Sequence, residues 1–173
     1  MRNIAPYLLL LLCTVGAAAP TPDVVPGLID PPDPPYTVEA LRAWHGALGR
    51  WRLHYPAEQE VMLRESGPAQ LLICSGGGMR NGDFVLFQSL GNSWRPIGEV
   101  SQSHHPVRVL PETHDGWHDF ETFSPLWGSG GNEVYVAHYR WTGSSYEMHS
   151  DSEGKFCDYE QFKTSAEFAQ SCR

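Results

Sequence analysis

Asn132-Glu133-Val134-Tyr135-Val136-Ala137-His138-Tyr139-Arg140-Trp141-Thr142-Gly143-Ser144-Ser145-Tyr146 is the stretch that decides the fold. An acidic residue opens a run of β-branched and aromatic residues. Gly143 then stands where a tight turn needs positive φ, and Tyr146 supplies a large flat side chain to clamp across two strands. That is the chemistry of a β-hairpin. An earlier stretch has the same order, Gly82-Asp83-Phe84-Val85-Leu86-Phe87 followed by Gly91-Asn92-Ser93-Trp94. Two such units predict a duplicated sheet element.

Similar short runs, separated by turn residues, flank both units. Trp51, Leu53 and Tyr55 alternate with Arg52 and His54. Further runs cover Val61 to Arg64, Gln70 to Cys74, Trp94 to Val100, Val107 to Leu110, His118 to Phe123 and Tyr146 to His149. This spacing predicts a mainly β fold of antiparallel sheets of short hairpins, arranged as a sandwich or a partial propeller, and excludes strands alternating regularly with helices. A short helix should precede the sheet. Thr37 can cap it, Val38, Leu41, Trp44 and Leu48 fall near one face, and Gly49 is placed to stop it. Near the C-terminus, Thr164-Ser165-Ala166-Glu167 has capping-box spacing, which predicts a second short helix.

Gly116-Trp117-His118-Asp119 and Trp141-Thr142-Gly143-Ser144-Ser145-Tyr146 resemble the hairpin units of FG-GAP or integrin-alpha-type repeats and related small exported bacterial proteins. Those proteins combine a Gly-Trp-x-Asp turn with a later Trp-x-Gly-x-x-Tyr hairpin. The likeness covers Asn81 to His149. It implies a β-sheet module used for extracellular contacts, with no reaction attached. The Asp-x-Asp-x-Asp calcium loop of that family is absent here, so calcium binding is not carried over.

The N-terminus has the order of a cleavable export signal over residues 1–19: Arg2, an apolar core from Leu8 to Leu12, and an Ala-x-Ala-like exit at Ala17 and Ala19. Its apolar core is shorter than the roughly 20 residues that cross a bilayer, so no transmembrane anchor is expected. Residues 20–35, rich in Pro and Asp, read as an extended tether, and residues 36–173 as one β-rich domain. The formal net charge is −8, and loss of Arg2 with the signal makes it more negative. That balance argues against nucleic acid or a bare anionic membrane as partner. In an oxidising compartment, Cys157 and Cys172 are the economical disulfide pair. Cys74, in the apolar run Leu71 to Cys74, is then a buried thiol, although connectivity through Cys74 stays open.

Three places bear on function. Half of the eight histidines fall between Ser101 and Glu121. There His104, His114, His118 and Asp119 are the ligand types that zinc would take, although strand alternation sends His118 and Asp119 to opposite faces. Cys74-Ser75-Gly76-Gly77-Gly78 looks superficially like a nucleophile elbow, but Leu72 and Ile73 stand where the preceding glycine should, and no helix signal follows. Aromatic residues crowd the second half; Trp127, Trp117 and Tyr139 are candidate binding residues, set against the ordinary fate of aromatics as core.

The resulting expectation is an exported, non-catalytic β-sheet binding module, secreted or periplasmic and needing no cofactor. It would act on an envelope or extracellular protein or glycan, or inhibit a hydrolase through the loop from Ser124 to Asn132. The alternative is a metal-dependent hydrolase with zinc at His104, His114, His118 and Asp119. The first reading rests on the expectation that stacked hairpins scatter the imidazoles and acids, whereas the metal site would have to be assembled across the fold.

Overall fold

Leu71-Leu72-Ile73-Cys74 and Phe84-Val85-Leu86-Phe87 are apolar at every position, because each strand is buried on both faces. They lie antiparallel with Leu71 opposite Phe87, Leu72 opposite Leu86, Ile73 opposite Val85 and Cys74 opposite Phe84. Alternation then sorts the pairs. Leu72, Cys74, Phe84 and Leu86 enter one core cluster, while Leu71, Ile73, Val85 and Phe87 enter another. Fully burying one such side chain stabilises the fold by about 1.5–3 kcal/mol.

The computed structural model describes residues 30–48, 57–77, 82–126 and 133–163. The export signal of residues 1–19, the run Trp51 to Tyr55, Trp127, the expected helix from Thr164 onward and Cys172 lie outside the described residues. Helix α1 (Val38–Leu48) is followed by strands β1 (Glu58–Val61), β2 (Gln70–Gly77), β3 (Gly82–Ser89), β4 (Trp94–His114), β5 (Trp117–Pro125), β6 (Glu133–Trp141) and β7 (Tyr146–Lys155). A 3-10 turn, Phe156–Asp158, leads into a single helical turn, α2 (Glu160–Lys163).

The mainly β, antiparallel hairpin architecture is present, among the described residues, as one seven-stranded sheet with its strands in chain order. The sheet curls until β7 meets β4 again in a parallel bridge between Gly98 and Tyr146. Glycine is required there, since a Cβ on residue 98 would lie 3.0 Å from the Tyr146 Cβ. The inner cluster draws on every strand and includes Phe84, Leu86, Ile97, Val100, Phe120, Tyr139, Trp141 and Tyr146.

Two outer clusters cover parts of the other face. Val38 and Leu41 of α1 seal Leu71, Ile73, Val85 and Phe87, with Thr37 Oγ1 accepting from the Ala40 amide at 3.1 Å as the helix cap. Phe156 and Phe162 cover Phe123, Val134 and Val136, at the end of β5 and the start of β6.

The two repeated units form equivalent turns. In each, the residue before the glycine donates its amide across the loop, Leu90 to Ser93 at 2.8 Å and Thr142 to Ser145 at 2.9 Å. Gly91 and Gly143 hold φ of 84° and 97°. Between β4 and β5, Asp115 and Gly116 both take positive φ, 52° and 75°, the requirement of a two-residue loop that follows the sheet twist.

Three expectations change. Trp94 to Val100 and Val107 to Leu110 belong to the same 21-residue strand, β4. Its first half pairs with β3 and its second half with β5, so the polar stretch between them does not end the strand. Strand β7 continues past His149 to Lys155. Beyond Val61, the run to Arg64 leaves the sheet, and Leu63 instead folds over the core.

Candidate functional site

Asp119 and its neighbours form the most concentrated polar group of the described face. On β5, residues 119, 121 and 123 share a side; on β6, residues 136, 138 and 140 share the facing side, with Glu121 opposite His138 and Phe123 opposite Val136. That register brings His138 and Arg140 beside Asp119. His114 reaches the same carboxylate across the Asp115-Gly116 turn, because His114 and Trp117 are the closing pair of the β4–β5 hairpin.

The Asp119 side chain has no exposed surface, and each of its two oxygens accepts hydrogen bonds. His114 Nδ1 donates to Oδ1 at 2.9 Å, while His138 Nε2 and Arg140 Nε donate to Oδ2 at 3.0 and 3.2 Å. A carboxylate only accepts, which sets the proton on Nδ1 of His114 and on Nε2 of His138. Burial by itself would raise the Asp119 carboxyl, but the hydrogen bonds from His114, Arg140 and His138 together outweigh it and hold the group below its ordinary range.

The polar line continues to the sheet edge. His138 stands opposite Ser150 on β7, with Ser150 Oγ 3.4 Å from His138 Nδ1, and the His149 ring lies edge-on to His138 at 5.5 Å. Asp119, His138 and Ser150 therefore follow one another in the order of a hydrolase triad, Asp119 on one ring nitrogen of His138 and Ser150 by the other. However, 3.4 Å is long for proton transfer, and Ser150 is exposed.

The residues singled out in the sequence separate in space. His114 and Asp119 come together. His118 does not join them, since its Nδ1 donates to the Leu110 carbonyl at 2.9 Å. His104 is placed by its backbone, paired with Phe123. A zinc ion does not fit the donor set at Asp119. Both carboxylate oxygens already accept N–H groups, and the Arg140 guanidinium puts a fixed positive charge 3.2 Å from Oδ2. Among the described residues, no group of three or more His, Cys, Asp or Glu is arranged to hold a metal.

Trp117 and Tyr139 are withdrawn from any ligand. Trp117 is 6% exposed and stacks on Trp141 at 4.5 Å; Tyr139 is 2% exposed, stacks on Phe120 at 5.0 Å, and its hydroxyl accepts from the Ser101 amide at 3.1 Å. Both point into the curl, where burial of aromatic surface outweighs any use at the surface. Cys74 is a buried thiol outside any disulfide, its Sγ donating to the Gly76 carbonyl at 3.1 Å. The nucleophile and bridge pairings considered for it therefore lose their geometric basis.

No protein-family model, curated protein or solved structure matches the chain. The likeness to FG-GAP hairpins rests on its two motifs alone. In the fold these motifs are neighbours, because Trp117, Trp141 and Tyr146 pack together at one end of the curl.

Sequence inspection passed over His138, Arg140 and the length of β7. The signal for the first two was present. Aligning Val134 to Trp141 antiparallel to His118 to Phe123 puts a histidine and an arginine, two apart, opposite the acidic face of β5. The far half of β7 gave no such signal, since Ser150-Asp151-Ser152-Glu153 is polar on both faces.

Proposed function

We propose that this chain is an exported, non-catalytic binding module, secreted or periplasmic, that engages an envelope or extracellular protein through the edge of β7. One observation carries this. After its bridge to Gly98, β7 runs from Glu147 to Lys155 with β6 on one side, and among the described residues no strand pairs with its other side. Glu147 to Glu153 are all exposed. An unpaired row of N–H and C=O groups is a template for an added strand, and strand addition is a general mode of peptide recognition.

Neighbouring features support a binding surface over a catalytic one. The Asp119 cluster is internally satisfied, so its polar groups stiffen β5 and β6 behind the edge. A protein segment suits the edge better than a glycan, because Trp117 and Tyr139 turn inward and offer no stacking face. The export signal at Arg2 to Ala19 supports the location, and the acidity of the chain supports a protein partner over nucleic acid. Within this proposal, Cys157 and Cys172 remain the preferred bridge, since Cys74 is a thiol.

A displayed library of nine-residue peptides, selected against the purified mature protein and mapped by amide hydrogen exchange, tests the role. Selected peptides should slow exchange along residues 147–155. Binders that protect only another surface, or no binders at all, would overturn it.

A further inference from the structure

We infer that the β7 edge accepts an extended segment bearing Lys or Arg at alternate positions beside an apolar residue, an assignment that rests on the binding role proposed above. The open backbone edge is the docking feature, and the side chains along it select the occupant.

Alternation and one irregularity set the pattern. Met148 stands opposite Tyr139, Ser150 opposite His138, Asp151 opposite Ala137 and Glu153 opposite Tyr135, so His149 is the extra residue of a bulge. The bulge puts Met148, Asp151 and Glu153 on one face. Tyr135 on β6 confirms that shared face, its hydroxyl donating to Asp151 Oδ2 at 2.7 Å and lying 3.7 Å from the Met148 sulfur. An incoming strand would thus meet an exposed apolar side chain, Met148 at 57% exposure, and then two carboxylates spaced by two residues. Side chains two apart on the added strand project to that same face.

Charge also separates the rival occupants. A second copy docking β7 against β7 would set Asp151 and Glu153 of one chain near those of the other, and like charges across a strand pair are unfavourable. Lys155, the strand's only lysine or arginine, stands at its very end, two residues beyond Glu153, so one lysine faces two carboxylates along this edge. With a chain of net charge −8, a basic segment is attracted and a second copy repelled.

The test uses three synthetic peptides on the purified protein in low salt: Thr-Val-Thr-Lys-Thr-Lys-Thr-Val, the same sequence with Glu in place of Lys, and the Lys peptide with alternate backbone amides N-methylated. Fluorescence anisotropy gives affinity and amide exchange gives location. The Lys peptide should bind about tenfold or more tighter than the Glu peptide, as two exposed charge pairs exchanged for two repulsions allow. That preference should collapse in Asp151→Asn/Glu153→Gln, a pair of exposed positions whose replacement leaves the core intact, and N-methylation should abolish binding.

Equal binding of the Lys and Glu peptides with β7 amides protected overturns the basic-partner inference and leaves the edge role standing. Binding of the N-methylated peptide shows charge adhesion without strand addition and overturns the inference. Absence of β7 protection with every peptide counts against the inference and the edge role together, as does a concentration-dependent dimer that itself protects β7.

Discussion

Replacing Asp119 by Asn keeps the shape of the side chain and removes its charge, which isolates what the carboxylate contributes. It accepts three hydrogen bonds, from His114, His138 and Arg140, without any exposed surface of its own. Breaking a buried charge pair costs about 3–5 kcal/mol when the partner charge is stranded. Here the His114 and Arg140 side chains are 38% and 34% exposed, so water takes over part of what the carboxylate gave them. The expected loss is therefore at the low end, about 3 kcal/mol, or a fall in Tm of about 10 °C for a domain of this size. Urea and thermal unfolding followed by circular dichroism measure it.

The loss should depend on pH in one direction. The carboxyl is held below its ordinary value of 3.8, so its contribution is fully present above that value and disappears as pH falls through the lower folded-state value. Wild type and Asp119→Asn should differ most above the ordinary carboxylate range and converge as pH falls through the lowered folded-state value. A loss below about 1 kcal/mol at pH 6, or one that persists undiminished in strong acid, would refute the assignment of Asp119 as the charged anchor of this face.

Other substitutions test the closure of the sheet and the chemistry of its edge. Gly98→Ala should destabilise by about 1–3 kcal/mol and speed amide exchange around Tyr146, because the new methyl meets the Tyr146 Cβ and carbonyl at 3.0 and 3.1 Å. Tyr146→Phe should cost about 1 kcal/mol in urea unfolding, since the hydroxyl donates to the His118 carbonyl at 2.7 Å inside the core. Tyr135 should titrate late in ultraviolet absorbance. Its hydrogen bond to Asp151, together with burial and the carboxylate's charge, pushes the phenol up to about 12, and Asp151→Asn should bring it back toward 10.

The hairpins were legible because their signals are local. Gly91 and Gly143 occupy positive φ at loop positions that follow directly from chain order, and Leu71 to Cys74 and Phe84 to Phe87 announce strands by composition alone. The histidine-rich stretch from Ser101 to Glu121 misled for the opposite reason. Proximity in sequence gathers His114 with Asp119 across a turn, but sends His118 to another partner, the Leu110 carbonyl. The expected scattering of imidazoles and acids is overturned at one point, where β5 and β6 align Asp119 with His138 and Arg140 from about twenty residues away. Nothing within either strand specifies that register.

From the amino-acid order alone come the period-two runs, the glycine turns, the capped helix over Val38 to Leu48 and hence a mainly β architecture, because each depends on side chains within one or two turns of chain. Tertiary structure decided which face each residue meets. It closed the sheet at Gly98 and Tyr146, drew Trp117 and Tyr139 into the core, gathered the partners of Asp119 and left β7, among the described residues, with no strand on its outer side. Those outcomes depend on strand register and curl, which are set by the packing of distant segments against one another and are carried by no single stretch of the chain.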